Sequence, residues 1–185
     1  MTKNIFFLLF FMVSNLIYSQ QKNLFEAGIN IVGAELSYER NLSNKFSIKS
    51  SLGYNGSIYR TSGATFNDKK NVFVLQPKIK IQPRFYYNKE KRAVKGKNTN
   101  YNSADFLSLN LEYLTSELNI SNAGFYEPEI FKVGLGWNLR RNIKDTKFIY
   151  ELSTGLNYFY NTNKIYKDDN KIRPQLNFKF GYVLN

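Results

Sequence analysis

A chain of 185 residues with no cysteine, no histidine and a formal net charge of +12 has room for one ordinary domain. Those absences exclude a disulfide framework, Ser–His and Cys–His nucleophilic catalysis, and the usual transition-metal sites. Beyond residue 20, no stretch approaches the ~18 apolar residues that a membrane-spanning helix needs.

The first twenty residues differ from the rest. Lys3 supplies a positive start, Ile5 to Ile17 is apolar except for Ser14 and Asn15, and Tyr18-Ser19-Gln20-Gln21 offers a small residue for cleavage. This layout predicts a secretory signal peptide over residues 1–20, followed by one domain over 21–185. No cysteine follows, so no lipoprotein anchor is expected. Export argues against a nucleic-acid partner for the basic charge and favours lipopolysaccharide or other envelope polyanions.

The remainder reads as strands. Phe25, Ala27, Ile29 and Ile31 hold one phase, whereas Val32, Ala34, Leu36 and Tyr38 hold the other. This switch within Asn23–Leu42 suggests a β-bulge beside Gly33, or else two short strands with a very tight turn. Phe46–Tyr59, Leu75–Tyr87, Leu107–Tyr113, Phe131–Leu139, Phe148–Tyr160 and Ile172–Leu184 then alternate apolar with polar residues. All of these runs exceed the 5 or 6 residues typical of soluble strands. About 10 tilted residues cross the ~25 Å apolar band of an outer-membrane barrel.

Seven strands are clear, and even parity predicts eight, with the additional one hidden in Asn23–Leu42. The expected fold is therefore all-β: an antiparallel up-and-down transmembrane β-barrel. Asn41–Lys45 and Asn142–Lys147 are expected as periplasmic turns, and Arg60–Asn71, Asn119–Glu129 and Asn161–Lys171 as outer loops. Asn88–Ser103 falls on the periplasmic side by alternation, and nothing in the pattern explains its length. Pro77, Pro83 and Pro174 cannot donate to a ladder and suggest bulges or local breaks.

Charge sorts with phase. Lys49, Lys78, Lys80, Arg84, Lys132, Arg140, Arg173 and Lys179 fall on the polar face, with Glu35, Glu39, Glu112 and Glu151. Facing lipid at mid-bilayer, such charges would cost on the order of 2–4 kcal/mol each. They are expected to form a lumen network that plugs a narrow barrel, because eight strands leave room for little but side chains. The basic excess leaves an anion path or pocket as the other reading. Arg40, Arg60 and Arg141 are out of phase but sit at strand ends, where they can snorkel. Tyr54, Tyr87, Tyr113, Trp137, Tyr158, Tyr160 and Tyr182 also lie near strand ends, as interfacial girdles require.

The Lys89–Lys97 run (KEKRAVKGK) is expected as a solvated turn, with contact to anionic head groups or periplasmic polymers as its functional reading. Glu35, Glu39, Glu112 and Glu151 are candidates for acid–base work only by position and are expected to pair with lumen Lys or Arg, and Asp168-Asp169 are candidates for calcium only as two adjacent acids. No catalytic residue and no cofactor is expected.

Gln82-Pro83-Arg84-Phe85-Tyr86-Tyr87-Asn88 ahead of the basic turn, Asn102-Ser103 at the next strand, and the signal ending in Tyr-Ser-Gln-Gln carry a resemblance. With these features the chain resembles small outer-membrane barrels of the OmpA-like membrane-domain type, among them uncharacterised barrels of Bacteroidota envelopes. Lys179-Phe180-Gly181-Tyr182-Val183-Leu184 also resembles a barrel-assembly signal at Lys179, Gly181, Tyr182 and Leu184, although it ends in Leu184-Asn185 rather than an aromatic.

The resemblance implies an outer-membrane location, contact with outer-membrane lipids including lipopolysaccharide, and insertion by the barrel-assembly machinery. It implies a structural or envelope-interaction role without catalysis, with no nucleic-acid partner and no known small-molecule ligand. Two rivals compete. One is a soluble, lipocalin-like periplasmic barrel, its apolar face turned inward around a small hydrophobic ligand. The other is a barrel enzyme that works with carboxylates alone.

Overall fold

Strands of period two have one wet and one dry face, and closing them on one another leaves the sheet without a free edge strand. The computed structural model describes residues 23–31, 33–60, 71–124, 127–161 and 171–185, and these form a closed antiparallel up-and-down β-barrel. Its strands in chain order are β1 (Leu24–Asn30), β2 (Gly33–Asn41), β3 (Phe46–Arg60), β4 (Asn71–Phe85), β5 (Asp105–Leu114), β6 (Ile120–Ser121), β7 (Ile130–Asn142), β8 (Phe148–Asn161) and β9 (Lys171–Val183). Eight of them make the wall; β6 only adds two residues to the side of β4. Pairing of β1 with β9 and of β3 with β4 completes the ring.

The phase switch near Ile31 is a tight turn and not a bulge. Asn30 and Gly33 are cross-strand partners, so β1 and β2 are the two short strands of one hairpin. Strand β4 begins at Asn71, earlier than the alternation indicates. There Val72 and Val74 face inward and are fully buried, so apolar residues occupy the phase that is polar elsewhere.

The prolines leave the wall continuous. Pro77 and Pro83 sit opposite Tyr54 and Ile48 in an unbroken β3–β4 register. On the other side of β4, pairing with β5 skips Gln82 and Pro83 and resumes at Arg84–Ser108 in the same register. Pro83 lacks the N–H that a bond at this position would use. Pro174 lies in the part of β9 that runs past the last β1 pair, Asn30–Lys179.

One end of the barrel, here the turn end, carries residues 42–45, 86–104 and 143–147 and both ends of the described chain. There the Asn185 side chain accepts from the Phe25 N–H (2.9 Å) and donates to the Asn23 carbonyl (2.7 Å), which prolongs the β1–β9 seam. At the opposite, loop end, residues 61–70 and 162–170 of the two expected outer loops lie outside the described residues, with the expected signal peptide and Asp168-Asp169. Of Asn119–Glu129, the part described folds back so that Ser121 pairs with Val74 of β4.

The length of Asn88–Ser103 now has a physical reason. It folds into a short helix, α1 (Lys89–Val94), and a 3₁₀ turn (Asn100–Asn102), and it closes the turn end of the barrel. Tyr101 and Asn102 adopt left-handed backbone (φ 51° and 60°), which turns Asn102 inward. Tyr101 packs against the buried Leu24, Ile149 and Val183. The segment is a cap as well as a turn.

Candidate functional site

The barrel interior is the candidate site, because strand alternation delivers polar side chains there from every wall strand. At the turn end three carboxylates and four cations lie buried together. Glu26 pairs with Lys49 (2.6 Å), Lys179 (3.2 Å) and Arg140. Glu39 meets Arg84 (3.3 Å) and Arg140 (3.5 Å), and it accepts from the Tyr86 hydroxyl (2.6 Å) and Ser47 (2.5 Å). Glu151 meets Arg84 at 3.1 Å and Arg140 at 3.5 Å. Arg140 also donates through Nε to the Tyr101 carbonyl of the cap (2.7 Å).

Such an array is arranged as buried charge must be: each ion has opposite charge and hydrogen bonds around it. Phe106 adds a ring face 4.4 Å from the Arg84 guanidinium. Asn102 ties the cap to this cluster, donating to Glu39 (2.9 Å) and Asn41 (2.8 Å) and accepting from Lys89 (2.7 Å). Burial pulls the Lys89 ammonium below its usual range, with the Glu39 charge opposing that shift. Asn102→Ala is expected to lower unfolding stability by about 1–3 kcal/mol, since it leaves buried partners without their bonds. Urea titration of the refolded protein reads this out.

Higher in the barrel the network thins. Lys78 meets Glu35 at 2.9 Å, and Lys179 reaches Glu35 at 3.2 Å. Gly53 lies between Lys78 and Glu35 in the register, and a Cβ there would collide with the Ala34 carbonyl and crowd Glu35. Lys132 meets Glu112 at 2.9 Å. The Phe159 ring lies 5.2 Å from both Lys132 and Arg173, which places Arg173 at the loop end and away from the turn-end cluster. Lys80 faces the interior beside Glu112 without touching it. Between these side chains and the turn-end cluster lies a polar cavity of about 330 Å³.

Eleven of the twelve side chains expected in the lumen therefore lie within two connected zones, a dense cluster and a cavity above it, and Arg173 stands at the rim. Of the residues resembling an assembly signal, Lys179 is inside the cluster and Gly181 faces inward under Ile149. Tyr182 faces outward, and Leu184 follows the end of β9, where its N–H donates to the Phe25 carbonyl (2.7 Å).

Sequence reasoning missed Glu26 and Asn102, whereas the alternation of Leu75–Tyr87 already puts Tyr86 on the polar, inward face. Glu26 was findable, since it alternates with Phe25 and Ala27 on the first strand. Tyr86 continues the polar phase of Gln82 and Arg84. Asn102 carried no signal, because its contacts depend on how the cap folds back.

Out-of-phase charges sit at strand ends, as with Arg40, exposed at the turn end, and Arg141, which pairs with Asp105 at 2.6 Å. The outer wall is apolar: Leu52, Leu135, Leu156 and Ile79 all point away from the lumen and are more than half exposed. Aromatic contacts gather toward its ends, with Phe46–Phe85 (4.8 Å), Phe148–Tyr182 (5.0 Å) and the Trp137 indole N–H donating to the Tyr87 hydroxyl (2.7 Å) at the turn end. Tyr113–Phe131 (4.6 Å) marks the loop end.

Among the described residues no group of three or more His, Cys, Asp or Glu side chains could hold a metal ion. Comparison with protein-family models, with curated proteins and with solved structures produced no match to this chain.

Proposed function

We propose that this chain is an integral outer-membrane β-barrel of structural or envelope-interaction role, exported by a signal peptide and without catalytic activity. The observation that carries the reading is the inverted distribution of polarity. Arg140 and Glu26 are fully buried inside the barrel, whereas Leu135 is 70% exposed on the wall. In water, an apolar wall this extensive would be a liability, because monomeric soluble proteins rarely expose large contiguous apolar patches. In a bilayer the same wall is solvated by lipid, and the charges stay inside.

The ring–ring and Trp137–Tyr87 contacts toward both wall ends support the reading, since such amphipathic rings suit the membrane interface. A lipocalin-like barrel needs an apolar lumen for its hydrophobic ligand, and the lumen described here is lined by Lys, Arg, Glu and amide side chains. The expected neighbours are outer-membrane lipids including lipopolysaccharide, with the barrel-assembly machinery inserting the chain. By the parity argument the turn end faces the periplasm and the basic surface of α1 meets head groups or polymers there.

Cell fractionation followed by gel electrophoresis of boiled and unboiled samples tests this. The reading predicts an outer-membrane protein whose unboiled form runs as a compact, detergent-resistant species. Recovery as a soluble periplasmic protein with no such shift would contradict it and favour the lipocalin-like arrangement.

A further inference from the structure

We propose that the loop-end half of the lumen is a binding site for a phosphate group borne on a hydroxylated, sugar-like moiety, with Lys80 as its principal cation. The proposal holds whether lipid or water surrounds the wall, because it concerns only the interior.

Lys80, Glu112 and Lys132 stand side by side in the register of β4, β5 and β7. The Glu112 carboxylate is engaged by Lys132 at 2.9 Å. On the same strand, Lys78 is engaged by Glu35 at 2.9 Å. Lys80 alone of these three lysines has neither an ion-pair nor a hydrogen-bond partner among the described residues. It lines the 330 Å³ cavity, whose walls carry five cations against three carboxylates. An inward-facing ammonium with no counter-ion in contact is costly, and a bound anion supplies the direct partner that Glu112, engaged by Lys132, does not.

The cavity also lacks donors at two places. Asn30 and Asn157 are among its lining residues, and their amide oxygens are buried with no hydrogen-bond partner among the described residues. Asn157 is only 6% exposed, yet it spends its amide N–H on Gln175. Two amide residues with unfilled acceptors and an unpaired cation lining one cavity fit a ligand with anionic oxygens at one point and hydroxyl donors at others, which is the chemistry of a sugar phosphate. The volume lies at the low end for small-molecule pockets and suits a single phosphorylated ring rather than a long polymer.

Access is built into the wall. The β1–β2 hairpin is lower than both its neighbours: β9 runs on through Lys171–Phe178 past its last β1 pair, and β3 through Gly56–Arg60 past its last β2 pair. Asn30 and Ile31 at the hairpin tip and Gln175 on β9 border both this notch and the cavity. The notch gives a phosphorylated headgroup or a soluble ester a sideways route to the site.

The test uses the refolded full barrel in detergent, titrated calorimetrically with glucose 6-phosphate and, separately, with glucose. Saturable binding of the phosphate ester that weakens about tenfold or more in Lys80→Gln is expected. It should persist in Lys80→Arg and in a Lys91→Gln/Lys95→Gln variant of the α1 surface. Compact migration on unboiled gels checks that each variant is folded. Repeating the titration with phosphatidic acid mixed into the micelles assigns the source: competition points to a headgroup, and its absence to a soluble ester. Failure to bind, equal binding by Lys80→Gln, or equal binding of glucose would overturn the proposal.

Discussion

Replacing Arg140 by methionine is expected to remove about 3–5 kcal/mol of unfolding stability, the largest effect of any single lumen substitution. Arg140 is fully buried and faces Glu26, Glu39 and Glu151 at once. Methionine keeps much of the side chain's bulk but leaves three carboxylates to share Arg84, Lys49 and Lys179. The loss comes from uncompensated negative charge more than from lost packing. Adding Glu26→Gln to Arg140→Met is therefore expected to restore part of the stability, a non-additivity that is the signature of direct coupling. Urea or guanidinium unfolding of the refolded barrel, followed by the gel shift between compact and unfolded forms, measures both variants. Additive losses in the double variant would mean that the cluster does not act as an electrostatic unit.

Leu135→Arg is expected to destabilise the protein by about 2–4 kcal/mol when it is folded into phospholipid vesicles. Leu135 is near the middle of β7, facing outward between Leu109 on β5 and Leu156 on β8. It touches no lumen residue, so the cost arises from moving a guanidinium into hydrocarbon. On a water-facing wall the same change would stay within about 0.5 kcal/mol, as surface substitutions usually do. Arg40 at the turn end gives the natural control, since its charge already stands on the outer face where a long side chain can reach water. A loss confined to Leu135→Arg, with little change for Arg40→Leu, is the expected pattern.

The fold was legible in the sequence because the deciding signal is local. In Leu107-Ser108-Leu109-Asn110-Leu111-Glu112, each residue declares its face by position alone, and the structure places Leu107, Leu109 and Leu111 outside. Where the binary code lapses, the reading shortens. Val72 and Val74 hid the first turns of β4 by being apolar on the inner face. The hairpin turn at Ile31 resembled a bulge because either device reverses the phase, and only cross-strand pairing separates them.

The interior was less legible for a different reason. Which carboxylate meets which cation depends on the stagger of the strands around the ring. Glu26 and Arg140, for instance, are far apart in sequence and meet only across the closed lumen. The cap was illegible altogether: Tyr101 and Asn102 take their left-handed backbone because the barrel mouth offers Glu39 and Asn41 as partners, and nothing in Asn100-Tyr101-Asn102 announces that.

Trp137 is the only tryptophan in the chain, and it lies on the outer wall near the turn end. Its fluorescence in refolded protein, measured against lipids brominated at defined depths and against aqueous iodide, tests most directly whether the apolar wall faces a membrane. The account predicts strong quenching by bromine placed near the interface and weak quenching by iodide. Full accessibility to iodide with no response to brominated lipid would contradict it and place this wall in water.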